Sequence, residues 1–335
     1  MAMGIDRRAF LGWGGAAAAA LMAPTALSTE AIAATDRRAI TQALQGFDKL
    51  PGTVAYMIRV GKPGRQAWET SRNATTQMFV GSAVKTFILT RFLKDVEDGR
   101  LNESQQLAVN DAVRTLDSSV FLELTGKTPG TSVLEAMISH SDNTATDIAI
   151  SQVGIERVRA FIASAGLTSV QVPASTRRLI SYLAGAPYGV DVGWEGAQRI
   201  AKGQLFGPVR PAMNTRESMK ASAADFVQYY ERLLGGAFLR TPEMQTEFRR
   251  ISSMGDALWK VVPQNTAAYG KGGSIEWNNF NCFCLPGQMQ VAAATPVTFA
   301  FCINWNGAPS TIPAVRDRFA ATIQSVLAQV AQTFG

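Results

Sequence analysis

The order in which apolar periodicity changes along the chain restricts its fold more than any other feature. Val54-Ala55-Tyr56-Met57-Ile58-Arg59-Val60 reads as a strand, and a turn at Lys62-Pro63-Gly64 returns the chain along a second strand near Gln66 to Glu69. Ahead of them, Asp36 is placed to cap a helix whose apolar face is Ile40, Leu44 and Phe47. From Ser82 the period becomes helical, with Val84, Phe87, Ile88, Phe92 and Val96 on one stripe that stops at Gly99. Helical patterning continues to about residue 239. It includes a capping box at Ser132 and Glu135, a segment marked by Ile148 and Val153, and another with Val158, Phe161 and Ile162 that ends at Gly166. Strand character returns at Ala267 to Ser274, Asn279 to Leu285, Met289 to Ala294 and Val297 to Asn304. Ser310 and Pro313 then open a last helix carrying Phe319, Ile323, Val326 and Val330.

Helix, strands, a long helical insert, strands and a helix, in that order, predict an α/β (α+β) fold. An antiparallel sheet is completed by both chain ends and flanked by N- and C-terminal helices, with an all-helical lobe inserted. The expected sheet part is 35–79 with 240–335, the helical part 80–239, and a site is expected in the cleft between them. Residues 172–216, with Pro173, Gly185, Pro187, Gly193, Gly203, Gly207 and Pro208, read as an enlarged irregular loop, and loops of that length are usually functional or mobile.

With 47% apolar and 17% charged residues, the chain suits a well-buried globular enzyme. Its net charge of +6 comes from scattered basic residues with no Lys/Arg run interleaved with aromatics, so a soluble basic surface is expected and no nucleic-acid partner. Asp6-Arg7-Arg8-Ala9-Phe10-Leu11-Gly12, an Ala/Gly-rich stretch and Ala31-Ile32-Ala33-Ala34 make residues 1–34 read as a twin-arginine export signal cut near Ala33 or Ala34. The apolar run is short and broken by Gly, so no stable membrane span is expected. The expected product is a monomeric, periplasmic or secreted enzyme.

Cys282, Cys284 and Cys302 fall in the C-terminal strands and read as buried free thiols, because twin-arginine substrates fold in a reducing cytosol. With His140 as the one histidine, no metal and no cofactor are expected.

The chemistry is carried by three short patterns. In Ser82-Ala83-Val84-Lys85 the i and i+3 side chains share a helix face, so a neutral lysine amine can take the serine proton beside free helix N-terminal amides. Ser141-Asp142-Asn143 lies at a helix end, where a hydroxyl and an amide project into a cleft. Lys271-Gly272-Gly273-Ser274 lies on a C-terminal strand. A Ser-His-Asp arrangement would need His140 as its base, and adjacency to Ser141 is expected to turn that ring away from the cleft.

These three patterns, in this order, resemble the class A β-lactamase and penicillin-binding protein superfamily of serine hydrolases. The resemblance implies that Ser82 attacks a carbonyl with Lys85 as base and that Ser141 relays a proton to the leaving nitrogen. It further implies that Asn143 holds the substrate amide, that Lys271 attracts a substrate carboxylate, and that the amides of Ser82 and Ser274 form an oxyanion hole past Gly273. The implied substrate is a small molecule, a β-lactam first of all. A D,D-peptide or small ester is the second enzyme reading, and a module that acylates without turnover is the third.

Two positions depart from the pattern. Gly272 stands where the family has a Thr or Ser, and Ser274 is the expected substitute hydroxyl. The family's deacylating glutamate falls about 35 residues after the Ser-Asp-Asn triplet, where this chain reads Ser175-Thr176-Arg177-Arg178-Leu179. Asp191 and Glu195 follow in the loop, and Glu195 is the candidate deacylation base.

Overall fold

The computed structural model describes residues 29–62, 64–291 and 295–335. The Arg7-Arg8 motif, Pro63 of the first turn and Ala292 to Ala294 lie outside the described residues.

Helix α1 (Thr29–Asp48) leads into the hairpin β1 (Thr53–Lys62) and β2 (Arg65–Arg72) and the short β3 (Met78–Phe79). Asp36 sits inside α1 rather than at its start, because the Ala-rich run before it continues the helix. A 3-10 turn, Gly81–Val84, opens α2 (Lys85–Glu97). The lobe continues with β4 (Gln106–Val109) paired to β5 (Gly126–Pro129), then α3 (Gly130–Ser139), α4 (Asn143–Val153) and α5 (Ile155–Ser164). Next come α6 (Thr176–Leu183), α7 (Gly193–Ala201), β6 (Lys220–Ala221), α8 (Ala223–Leu234) and α9 (Pro242–Ser252). The chain ends with β7 (Ala268–Gly270), β8 (Gly273–Trp277), β9 (Phe280–Val291), β10 (Thr295–Asn306) and α10 (Ile312–Phe334).

Several local expectations change. Ser132 caps nothing: α3 starts two residues earlier, its first amides reach back to Gln105 O (3.0 Å) and Glu103 O (2.9 Å), and Glu135 pairs with Arg250 at 2.6 Å. The 172–216 segment is not one irregular loop, since it carries α6 and α7. Helix α9 packs on α2 and α3, so the lobe extends past residue 239.

The sheet runs β2-β1-β10-β9, with β7 and β8 sharing the outer edge of β9 end to end, every pair antiparallel. Strand β9 replaces two expected strands. Pro286 has no N–H to donate, and it lies where the neighbouring edge passes from β8 to β7, so no ladder bond is lost there. Its carbonyl instead accepts the amide of Lys271 at 3.3 Å.

Alternation divides the sheet into two faces. Tyr56, Ile58, Phe299, Phe301 and Ile303 face Phe47, Phe319, Ile323 and Val326 of α1 and α10. Ala55, Met57, Ala300, Cys302, Cys284 and Cys282 face the lobe, in one core with Phe87, Tyr229 and Tyr230. At about 25 cal/mol per Å² of apolar surface, these two packed faces dominate the favourable side of folding, and they clamp β8 and the start of α2 against each other.

Candidate active site

Ser82 is held by a backbone crossing. Gly81 has φ +53°, and a Cβ on it would lie 2.7 Å from Ser274 N and 2.6 Å from Ser274 O. A Cβ on Gly273 would lie 2.1 Å from Val80 O and 2.8 Å from Ser82 N. Two glycines therefore let the turn before α2 press directly on β8, with the Ser82 amide beside the Gly273-Ser274 backbone. The other end of the turn is fixed by β3 pairing with β6 and by Val80 N donating to Met219 O at 2.9 Å.

The Ser-Asp-Asn triplet divides its work. Asp142 faces inward: it caps α4 by accepting Ala145 N (2.8 Å) and accepts the amides of Val120 and Phe121 (2.9 Å each). Ser141, at φ +57°, is turned the other way, in a region that costs a serine strain. Asn143 donates to Leu116 O at 3.0 Å and offers its carbonyl oxygen to Lys85.

Lys85 is fully buried, and its Nζ donates to Ser141 O (2.5 Å), Asn143 Oδ1 (2.8 Å) and more weakly to Ser141 Oγ (3.4 Å). Burial first, and then the charge of Lys271, push its ammonium well below the usual lysine range, against the pull of Asp142, Asp147 and Asp117. Its proton is held more loosely than that of a free lysine, one helical turn after Ser82.

Lys271 is buried and donates to Gly272 O at 2.8 Å, and burial pushes it down to about 8 against the nearby Asp256. With Ser141, Ser274, Lys260 and Arg316 it lines a cavity of about 420 Å³. The space a Gly272 side chain would need is taken, because a Cβ there would come 2.9 Å from Ala257 Cβ. Ser274 lines the cleft on both sides, with Lys271 and with Ser82. The structure thus brings together Ser82, Lys85, Ser141, Asn143, Lys271, Gly273 and Ser274.

The remaining candidates are placed differently. Glu195 is exposed on the first turn of α7 and lines none of the cavities around Ser82. Asp191 is held by Arg177 at 2.7 Å and 2.9 Å and by Gly193 N at 2.9 Å, which keeps its carboxyl below the usual range although burial opposes the shift. This ion pair closes the neck of the 177–191 segment. His140 is not turned away: it lies on the wall of the cavity that Ser82 lines, with Nδ1 at 2.7 Å from Ser139 Oγ.

Sequence reasoning passes over Thr176, Asp147 and Asp117. Asp117, at φ +56°, lines the two cavities that Ser82 lines. Thr176 shares one of them and bonds the buried Asp147 at 2.8 Å. No short motif marks these residues: Thr176 and Asp147 meet only when α4 and α6 pack, and Asp117 comes from the loop between β4 and β5.

The profile of the β-lactamase enzyme family matches residues 37–279. The chain belongs to the β-lactamase enzyme family. It is thereby a β-lactamase-type serine hydrolase. Solved relatives share the fold of this β-lactamase-family chain. A β-lactamase from Sphaerobacter thermophilus DSM 20745 is 19% identical over 90% of this chain and 97% of its own, with a TM-score of 0.65. One from Xanthomonas campestris pv. campestris str. ATCC 33913 is 16% identical over 91% and 99%, also with a TM-score of 0.65. PBP-A is 14% identical over 88% and 96%, again with a TM-score of 0.65. No curated protein matches in sequence.

Proposed function

We propose that this chain is a class A-like β-lactamase that opens β-lactams through an acyl-enzyme on Ser82. The observation that carries the reading is Lys85: a buried amine, one turn beyond a serine at a helix start, hydrogen-bonded to both Ser141 and Asn143. Lys85 takes the Ser82 proton and Ser141 passes it to the leaving nitrogen, while the amides of Ser82 and Ser274 receive the oxyanion. Asn143 holds the substrate amide and Lys271 its carboxylate. Residues 35–335 form the hydrolase and act as a monomer after export by the twin-arginine route to the periplasm or medium. Among the described residues no helix is long and apolar enough to cross a membrane.

A D,D-peptidase or small-ester hydrolase is the second reading. It is favoured by Leu179 and the Arg177–Asp191 pair occupying the segment where class A enzymes carry their deacylating glutamate.

The purified chain is mixed in turn with a chromogenic cephalosporin, a short ester and a fluorescent penicillin. Rapid cephalosporin turnover supports the first reading and ester turnover alone the second, while one stoichiometric label that persists points to a module that only acylates. Ser82→Ala should abolish every signal, and a label that survives this change, or that maps to another residue, removes Ser82 as nucleophile.

A further inference from the structure

Once an acyl group is on Ser82, a water must be activated to release it. The cavity of about 80 Å³ beside Ser82 is lined by Asn143, Thr176, Leu179, Ile180 and Asp117 among others. At roughly 30 Å³ per molecule, it has room for two or three waters. Neither Glu195 nor Asp191 lines it.

Thr176 opens α6 at the wall of this cavity, and its hydroxyl has a single proton. That proton is donated to Asp147 Oδ1 at 2.8 Å, the contact to Asn143 O being longer at 3.4 Å. The lone pairs of Thr176 Oγ1 therefore remain to accept from water. Asp147, buried on α4, also receives the amides of Thr176 (2.7 Å) and Arg177 (3.1 Å), so three donors fix its position.

We propose that Asp147, acting through the hydroxyl of Thr176, receives the proton of the water that releases the acyl group from Ser82. This assignment rests on the acyl-enzyme reading above and supplies its second half. Thr176 touches the water, and Asp147 is a positioning residue that accepts the proton at one remove. The water oxygen bonds to the acyl carbon. Its proton passes to Thr176 Oγ1 as the threonine proton moves to Asp147 Oδ1. Collapse breaks the bond from the acyl carbon to Ser82 Oγ, which leaves with the electron pair and regains that proton through Thr176. The carboxylic acid product loses its own proton to solvent, and no co-reactant is needed.

Burial raises the Asp147 carboxyl to about 6, although its three donors and the charge of Arg177 pull it down. The charged groups facing it are Arg177 on α6 and Lys85 on α2. Below that pH it is protonated and cannot accept, so deacylation should rise with pH through about 6 and then level off.

The test follows the lifetime of the fluorescent penicillin label by mass spectrometry from pH 5 to 8. Thr176→Val should keep labelling of Ser82 but lengthen the label's lifetime about 100-fold or more, the range of a lost general base, and Thr176→Ser should restore decay. Asp147→Asn, which keeps an acceptor for the two Thr176 donors while turning its NH2 to the Arg177 amide, should remove the rise through pH 6. Thr176→Val decaying like the wild type overturns the proposal, as does a wild-type label that never decays, or Asp117→Asn producing the defect instead. Absence of any label on wild-type Ser82 removes the acyl-enzyme reading and this assignment together.

Discussion

At the level of single residues, the site sets two buried lysines against each other. Burial weakens both ammoniums, and the charge of Lys271 weakens that of Lys85 further, so Lys85 is pushed well below the usual lysine range while Lys271 holds its charge only up to about pH 8. As pH climbs past about 8, Lys271 deprotonates and would lose the attraction for a substrate carboxylate proposed for it. KM for a carboxylate-bearing cephalosporin should rise there, while KM for its methyl ester stays flat. Parallel curves for acid and ester would show that Lys271 does not read the carboxylate. Much of this constellation was legible in the sequence, because Ser82 and Lys85, Ser141 and Asn143, and Lys271 and Ser274 each lie within four residues of one another. The Thr176–Asp147 pair was not, for its members are separated by most of two helices and a loop. Glu195 misled for a related reason: a carboxylate in a loop looks available until its exposure on α7 is known.

Secondary-structure elements position these residues by backbone contact more than by side chains. The 3-10 turn of Gly81–Val84 lies on β8 so closely that Gly273 has no room for a methyl group. Gly273→Ala must move the turn or the strand, because its Cβ would meet the backbone atoms Val80 O and Ala83 N, which cannot rotate away. Overpacking of this kind costs about 1–3 kcal/mol, and Tm should fall accordingly while labelling of Ser82 slows by at least tenfold. Unchanged Tm and labelling would mean that the crossing is looser than its geometry. The element order was readable from periodicity, whereas boundaries were set by contacts no period records. Helix α3 starts at Gly130 because Glu103 and Gln105 supply carbonyls to its first amides, not because Ser132 is a good cap. Strand β9 passes through Pro286-Gly287 because its edge partners change there.

Across the whole molecule, the lobe is tied together by charge as well as by its apolar core. Glu103 meets Glu247 of α9, with Arg250 bridging Glu247 and Glu135 at 2.6 Å each. Burial, and then the Glu247 charge, raise Glu103 to about 7. Between its ordinary value of 4.5 and about 7 the folded chain binds more protons than the unfolded one, so stability should fall as pH rises through that window. Glu103→Gln should flatten this slope in melting curves taken from pH 5 to 8, and a mutant slope as steep as the wild type would place the effect elsewhere.

The lobe-facing side of the sheet has a wider consequence. Where the opposite face carries Phe299, Phe301 and Tyr56, this face carries Ala55, Ala300, Cys284 and Cys302 under Tyr229 and Tyr230 of α8. These small side chains let α8 lie close on the sheet. Enlarging Cys302 to leucine would jack the lobe away from the sheet and draw Ser82 off Ser274 without touching either. The aperture of the enzyme is in this sense gauged by a few methylene groups on the far side of α8.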